Sequence, residues 1–347
     1  MKQAVMTAPG EIVFSADVPI PVIKDNEVLL KVNYIGVCGS DIHVWHGKHP
    51  FTSYPVIQGH EFSGTIIKCG KDIPTHIKIG MKATALPQIT CGKCAPCLRG
   101  EFNICDQLRV RGFQAPGCAQ DYFTVPVDRL ILLPDDIDMK IAAFVEPVAV
   151  AVHAVSHVKK LLAGAKVLVT GAGTIGNLVA QVATAYGAEV MITDINDFRL
   201  EKAKACGVAH VVNTAKENLP ECIEVLLGPN RFSVGFEVSG VEKALDQVVN
   251  TIAKGGIIVA VAVYEGKPRV DMSILGDREI SLLGTLMYKH QDFFDAINLL
   301  SSGKVKAKEL ISREFEFDDY LTSYQYHDSH GMETMKLIVK VNSDGTL

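Results

Sequence analysis

Residues 166–194 carry the pattern that most narrows the fold. An apolar run, KVLVT, leads into GAGTIG, then into TIGNLVAQVATAY and a second apolar run, VMITD. In the middle stretch Ile175, Leu178, Val179, Val182 and Tyr186 fall on one helical face. Four more apolar runs follow: HVVN (210–213), VGFEV (234–238), GIIVAVAV (256–263) and EISLLG (279–284). Between them Val241, Ala244, Leu245, Val248, Val249 and Ile252 mark another helical face. Near-continuous apolar strands alternating with amphipathic helices predict a parallel sheet covered on both sides, a doubly wound α/β domain.

The glycines say what this domain holds. Gly171, Gly173 and Gly176 stand in G-x-G-x-x-G spacing between a strand and a helix. The first permits a tight turn, the second a close approach of pyrophosphate, and the third close packing of helix on strand. The phosphates would sit on the helix N-terminus, opened by Thr174 and Ile175. Asp194 ends the next strand, where a carboxylate accepts from both ribose hydroxyls and repels a 2′-phosphate, so NAD is expected over NADP. Arg199 is the competing observation; its plainer reading is a helix arginine in water or along the adenine.

The rest of the chain reads differently. Residues 1–145 hold short β-rich runs, EVLLKVNYIG (27–36) and FSGTIIKCG (62–70) among them, separated by Gly, Pro, Asn and Asp turns. The last sixty residues are mixed, with helix-like DFFDAINLLSSG (292–303) and strand-like KLIVKV (336–341). A length of 347 residues suits two domains. The net charge of −5 leaves no basic footprint for nucleic acid. The longest apolar run, IAAFVEPVAVAVHAV (141–155), is broken by Glu146, Pro147 and His153, which argues against a membrane span. No secretory pattern opens the chain, and nine cysteines, an odd number, suit a reducing compartment. The cytoplasm is expected.

Four of those cysteines, Cys91, Cys94, Cys97 and Cys105, stand at C-x2-C-x2-C-x7-C in a loop rich in Gly, Pro and charge. Four thiolates at this spacing suit a tetrahedral structural zinc, whose closed shell leaves no place for a substrate. An iron–sulfur cluster, a disulfide set and a redox thiol loop are the weaker readings. Upstream, VCGSDIH (37–43) and GHEFSG (59–64) contribute Cys38, His60 and Glu61, a thiolate, an imidazole and a carboxylate beside turn glycines. Three ligands and an open position describe a catalytic zinc. Spacing alone leaves a turn cysteine and surface charges equally open.

With these motifs in this order the chain resembles the zinc-dependent medium-chain alcohol and polyol dehydrogenases over essentially its whole length. CGSD-x-H, GHE-x-S-G, the four-cysteine loop, an EP segment, GAGTIG and the aspartate all follow the family's order. The resemblance implies a β-rich, GroES-like catalytic domain over 1–148, an NAD-binding Rossmann domain over 149–285, and a return of 286–347 to the catalytic domain. It implies Cys38, His60 and Glu61 as ligands of the catalytic zinc, as in the sorbitol, threonine and butanediol branch. Glu146, where alcohol dehydrogenases carry a second cysteine, would bind zinc directly or through water. Ser40 and then His43, by way of the cofactor ribose, would carry the alcohol proton outward. His46 and His49 make the loop histidine-rich, so a surface imidazole is the plain alternative for His43.

The implied reaction moves a hydride between NAD and a secondary alcohol of a polyol, sugar acid or diol, giving a ketone. A threonine-type amino-alcohol dehydrogenase and a non-catalytic NAD- and zinc-binding protein are the alternatives. Partners would be the small-molecule alcohol and further copies in a homodimer or homotetramer, with no nucleic acid and no membrane. Two departures bear on substrate. GCAQDY (117–122) replaces a GGFAEY-like segment at a turn bordering the cleft, and Met287 replaces the arginine that sorbitol dehydrogenases carry before Tyr288.

Overall fold

The computed structural model describes residues 1–229 and 231–343. The chain divides into two compact units, residues 1–146 with 311–347, and residues 147–310.

The second unit is built on a six-stranded, all-parallel sheet. Lys166–Thr170, Glu189–Asp194, His210–Asn213, Val234–Glu237, Ile257–Ala260 and Ser281–Gly284 lie in spatial order 3-2-1-4-5-6. That is the doubly wound order anticipated from the apolar runs. The helices Thr174–Ala185 and Glu242–Thr251 turn their apolar faces inward, and Leu178, Val179, Val182, Leu245, Val248 and Val249 are buried. The fifth strand is shorter than its apolar run. After Ala260 the N–H groups of Val261 and Ala262 both turn to the Glu237 carbonyl, and Val263 is left exposed. This strand is interior, and Ser281–Gly284 beside it is an edge of the sheet.

The first unit is β-rich. The long strand Glu27–Val37 pairs antiparallel with Glu61–Cys69, Tyr122–Pro126 and Lys336–Lys340. It is buried almost throughout because it has neighbours on both edges and a packed core against it. Strand Ile311–Glu316 extends the sheet beside Lys336–Lys340, so the chain's tail completes the sheet its head began. The second crossing comes at Ile311, later than the anticipated 286. The reason is the helix His290–Ser301, which buries Phe293, Ala296 and Ile297 in the second unit. There Asp292 also meets His153 at 2.9 Å. The first crossing lies inside the helix Val145–Ser156, after Glu146 rather than after residue 148. No helix among the described residues is long and apolar enough to cross a membrane.

Candidate functional site

Strand register assembles the first cluster. Gly36 pairs with Glu61, and on the other side Val37 pairs with Leu337, which brings Lys336 up to the end of the same strand. Cys38 follows at once, extended, as the cap of the helix Gly39–Trp45. The ligating atoms of Cys38, His60 and Glu61 all lie within 4.8 Å of one another. A side chain at Gly36 would put its Cβ 2.3 Å from Glu61 Oε2, so only glycine leaves the carboxylate its place.

Two charged residues that sequence reasoning passed over hold this trio. Asp41 Oδ2 accepts from the Cys38 N–H at 2.9 Å, while its Oδ1 stands 3.5 Å from His60 Nδ1. Both of those last atoms are buried and lack a hydrogen bond. Burial lowers the His60 pKa, yet Asp41 and then Cys38 outweigh it and set the imidazole well above its ordinary value. A carboxylate behind a ligating histidine is the arrangement that orients such rings on a metal. Lys336, equally buried, donates to both Glu61 oxygens at 2.8 and 2.7 Å and to the Val37 carbonyl at 3.2 Å. Burial lowers its pKa, and Glu61 and Cys38 raise it by more. Thiolate, imidazole and carboxylate, with their supports in place, fit a catalytic zinc.

The other residues anticipated here fall at different distances. Glu146 is buried in the first turn of Val145–Ser156 but is not a member of the trio. Ser40 and His43 share a face of the helix Gly39–Trp45, Ser40 half-buried and His43 exposed. His49 bonds Thr52 Oγ1 at 2.7 Å and stacks on Phe113, which also packs against His60. Its pKa is lowered by burial and then by His43, with Asp41 opposing.

The four-cysteine loop closes on itself. Cys91, Cys94, Cys97 and Cys105 also have all donor atoms within 4.8 Å, with the Cys94–Cys105 sulfurs 3.9 Å apart and Cys91–Cys105 3.6 Å. Tetrahedral zinc with bonds of about 2.3 Å needs sulfurs about 3.8 Å apart, so the loop is already shaped for it. The N–H groups of Lys93 and Cys94 bring the Cys91 thiol down to about 6, whereas burial pushes Cys97 up to about 12. A dication is what lets four such unequal thiols ionise together.

In the second unit Gly171 follows the strand Lys166–Thr170 at φ +91°, where a Cβ would meet the Ser239 backbone at 3.0 Å. At Gly176 a Cβ would lie 1.8 Å from the Gly171 carbonyl, while at Gly173 nothing lies within 4 Å. The turn is tight where helix meets strand and open where pyrophosphate would approach. Thr174 and Ile175, partly exposed, begin the twelve-residue helix, whose N-terminus carries the positive end of the helix dipole. Asp194 accepts from Ala172 N–H at 2.7 Å and from the N–H groups of Ile195 and Asn196 at 2.8 and 3.0 Å. Arg199 lies in the first turn of Asp197–Cys206. Glu237, unremarked in the sequence, is fully buried and accepts from Ser239 N–H, Gly240 N–H and the Tyr264 hydroxyl. It thereby fixes the loop that faces Gly171.

Comparison with known proteins places the chain in a family. Residues 24–135 match the alcohol dehydrogenase GroES-like domain and residues 174–302 the zinc-binding dehydrogenase domain. The 2-dehydro-3-deoxy-L-galactonate 5-dehydrogenase of Pseudoalteromonas atlantica is 36% identical over 92% of each chain. Sorbitol dehydrogenase 1 of Saccharomyces cerevisiae is 33% identical over 92% of this chain and 93% of its own. The chain belongs to the zinc-dependent medium-chain alcohol and polyol dehydrogenases. Among solved structures, 2R,3R-butanediol dehydrogenase from Bacillus subtilis superposes with a TM-score of 0.89 at 27% identity, covering 98% of this chain and 99% of that one. As a member of this family it is an oxidoreductase acting on CH–OH groups.

Set against the family pattern, the two departures look different in three dimensions. Cys118 and Ala119 of GCAQDY are wholly buried, and their N–H groups bond Gly59 and Gln58 carbonyls at 3.0 and 2.9 Å. These two altered residues belong to the core of the first unit, against Gln58 and Gly59. Met287 sits at φ +50°, and Tyr288 beside it is buried against Phe293 at 4.9 Å.

Proposed function

We propose that this dehydrogenase catalyses the reversible, NAD-linked oxidation of a secondary alcohol, in a polyol, sugar acid or diol, to the ketone. The observation that carries the reading is the trio Cys38, His60 and Glu61, closed to 4.8 Å and braced by Asp41 and Lys336. In this reading the trio holds the catalytic zinc, with Glu146 near it, and the four-cysteine loop holds the structural one. Zinc, when bound, polarises the substrate hydroxyl and lowers its pKa toward neutrality. NAD, when bound, accepts the hydride. Ser40 takes the hydroxyl proton, and His43, exposed on the same helical face, exchanges it with water near neutral pH. Gly171, Gly173, Thr174, Ile175 and Gly176 receive the pyrophosphate. Asp194 receives the adenosine ribose and disfavours a 2′-phosphate, with Arg199 alongside.

Cytoplasmic placement, a homodimer or homotetramer, and the absence of nucleic-acid and membrane partners complete the proposal. The net charge of −5 and the exposed edge strand Ser281–Gly284, with Leu282 uncovered, support it. The test is metal analysis beside activity. The native chain is expected to hold two zinc ions; Cys38→Ser should keep one, stay folded and lose turnover. A Cys38→Ser variant with two zincs and undiminished turnover would overturn the assignment of the trio.

A further inference from the structure

Three histidines follow the helix-borne serine, and the structure treats them differently. His46 is held by Asp328 at 2.8 Å, and His43 is exposed. His49 alone of the three stacks toward the metal trio. Its ring lies on Phe113 with centroids 4.7 Å apart and planes 19° from parallel, and Phe113 in turn meets His60 at 4.9 Å. The bond from Nδ1 to Thr52, at 2.7 Å, fixes the ring's rotation. Nε2 takes no hydrogen-bond partner among the described residues. A half-buried imidazole one ring removed from a metal ligand is thus oriented on two sides with one polar atom unspent.

We propose that His49 is a specificity-determining residue, its Nε2 hydrogen-bonding a substrate hydroxyl two or more carbons from the reacting carbinol. This rests on the dehydrogenase reading above and narrows its substrate class to polyhydroxylated chains. A hydroxyl is the fitting partner because it both donates and accepts, and so serves whichever nitrogen of His49 carries the proton. The stacked, tethered ring loses little freedom on binding, which is what makes such a contact effective. Substrates lacking the remote hydroxyl forgo it, and a site built to bond a hydroxyl discriminates on that basis.

Steady-state kinetics of the zinc-loaded enzyme, His49→Ala and His49→Gln, with a hexitol, an aldonate and butane-2,3-diol, test this. His49→Ala is expected to raise KM for the hexitol or aldonate about tenfold, as loss of one hydrogen bond to an uncharged partner would. Its kcat, its KM for butane-2,3-diol and its zinc content should stay near native, and His49→Gln, which keeps an N–H, should recover most of the loss. A uniform KM change across all substrates, a fall in kcat alone, or loss of zinc would overturn the role of His49. Native enzyme inactive on every compound would instead overturn the dehydrogenase reading, and this proposal with it.

Discussion

Lys336 is the residue on which the proposed zinc trio leans most heavily. Its ammonium is buried with the Glu61 carboxylate, and neither has water to fall back on. Removing one partner of such a pair strands the other charge, at a cost of about 3–5 kcal/mol. Lys336→Met is therefore expected to lower unfolding stability by that order and to release zinc more readily; denaturant titration and metal analysis check both. Asp41→Asn is a gentler lesion. It keeps the shape but removes the charge behind His60, and loss of a partner at that position lowers metal affinity about 10- to 100-fold. Equilibrium dialysis against a chelator would read this, and unchanged affinity would deny Asp41 its orienting part.

At the scale of elements, the C-terminal helix Tyr320–His330 splints the helix that bears Ser40 and His43. Asp328 accepts from Trp45 Nε1 and bonds His46 Nε2, both at 2.8 Å, and Tyr324 reaches Gln58, whose amide donates to the Asp41 carbonyl. Burial would raise the Asp328 pKa, but Trp45 and His46 hold it below the usual carboxylate range. The sign follows from that. A depressed carboxyl contributes stability that is present above its unfolded pKa, about 3.9, and lost as pH falls through the lower folded value. Asp328 is largely exposed, so the contribution is about 1 kcal/mol or less. Asp328→Asn should be less stable than native near neutrality, with the difference shrinking below about pH 4. The four-cysteine loop makes a sharper prediction. Cys97→Ser should lose one zinc and lower the thermal midpoint, because binding of a structural metal is folding free energy.

At the scale of the molecule, two readings of the sequence had different reach. The doubly wound unit was legible strand by strand, because buried parallel strands are continuous apolar runs and glycine spacing is local. The members of the two clusters that could hold a metal were legible as motifs. What supports them was not, since Lys336 meets Glu61 across 275 positions of sequence and Asp328 meets Trp45 across 283. Such pairings follow from sheet register and helix docking, which no local pattern encodes. Asp41 was in plain view inside CGSDIH, and its place three residues after Cys38, at a helix cap, was the available signal. For the cofactor unit, Asp194→Ala is expected to shift the NAD-to-NADP preference toward NADP by about tenfold or more, the worth of a charge-assisted bond. The most direct test of the whole account is NADH formation by the purified protein across diols, sugar alcohols, sugar acids and threonine, with and without a zinc chelator. The account predicts turnover on polyhydroxylated secondary alcohols that the chelator abolishes. A protein holding two zincs and NAD that turns over none of them, or one that the chelator leaves fully active, would contradict it.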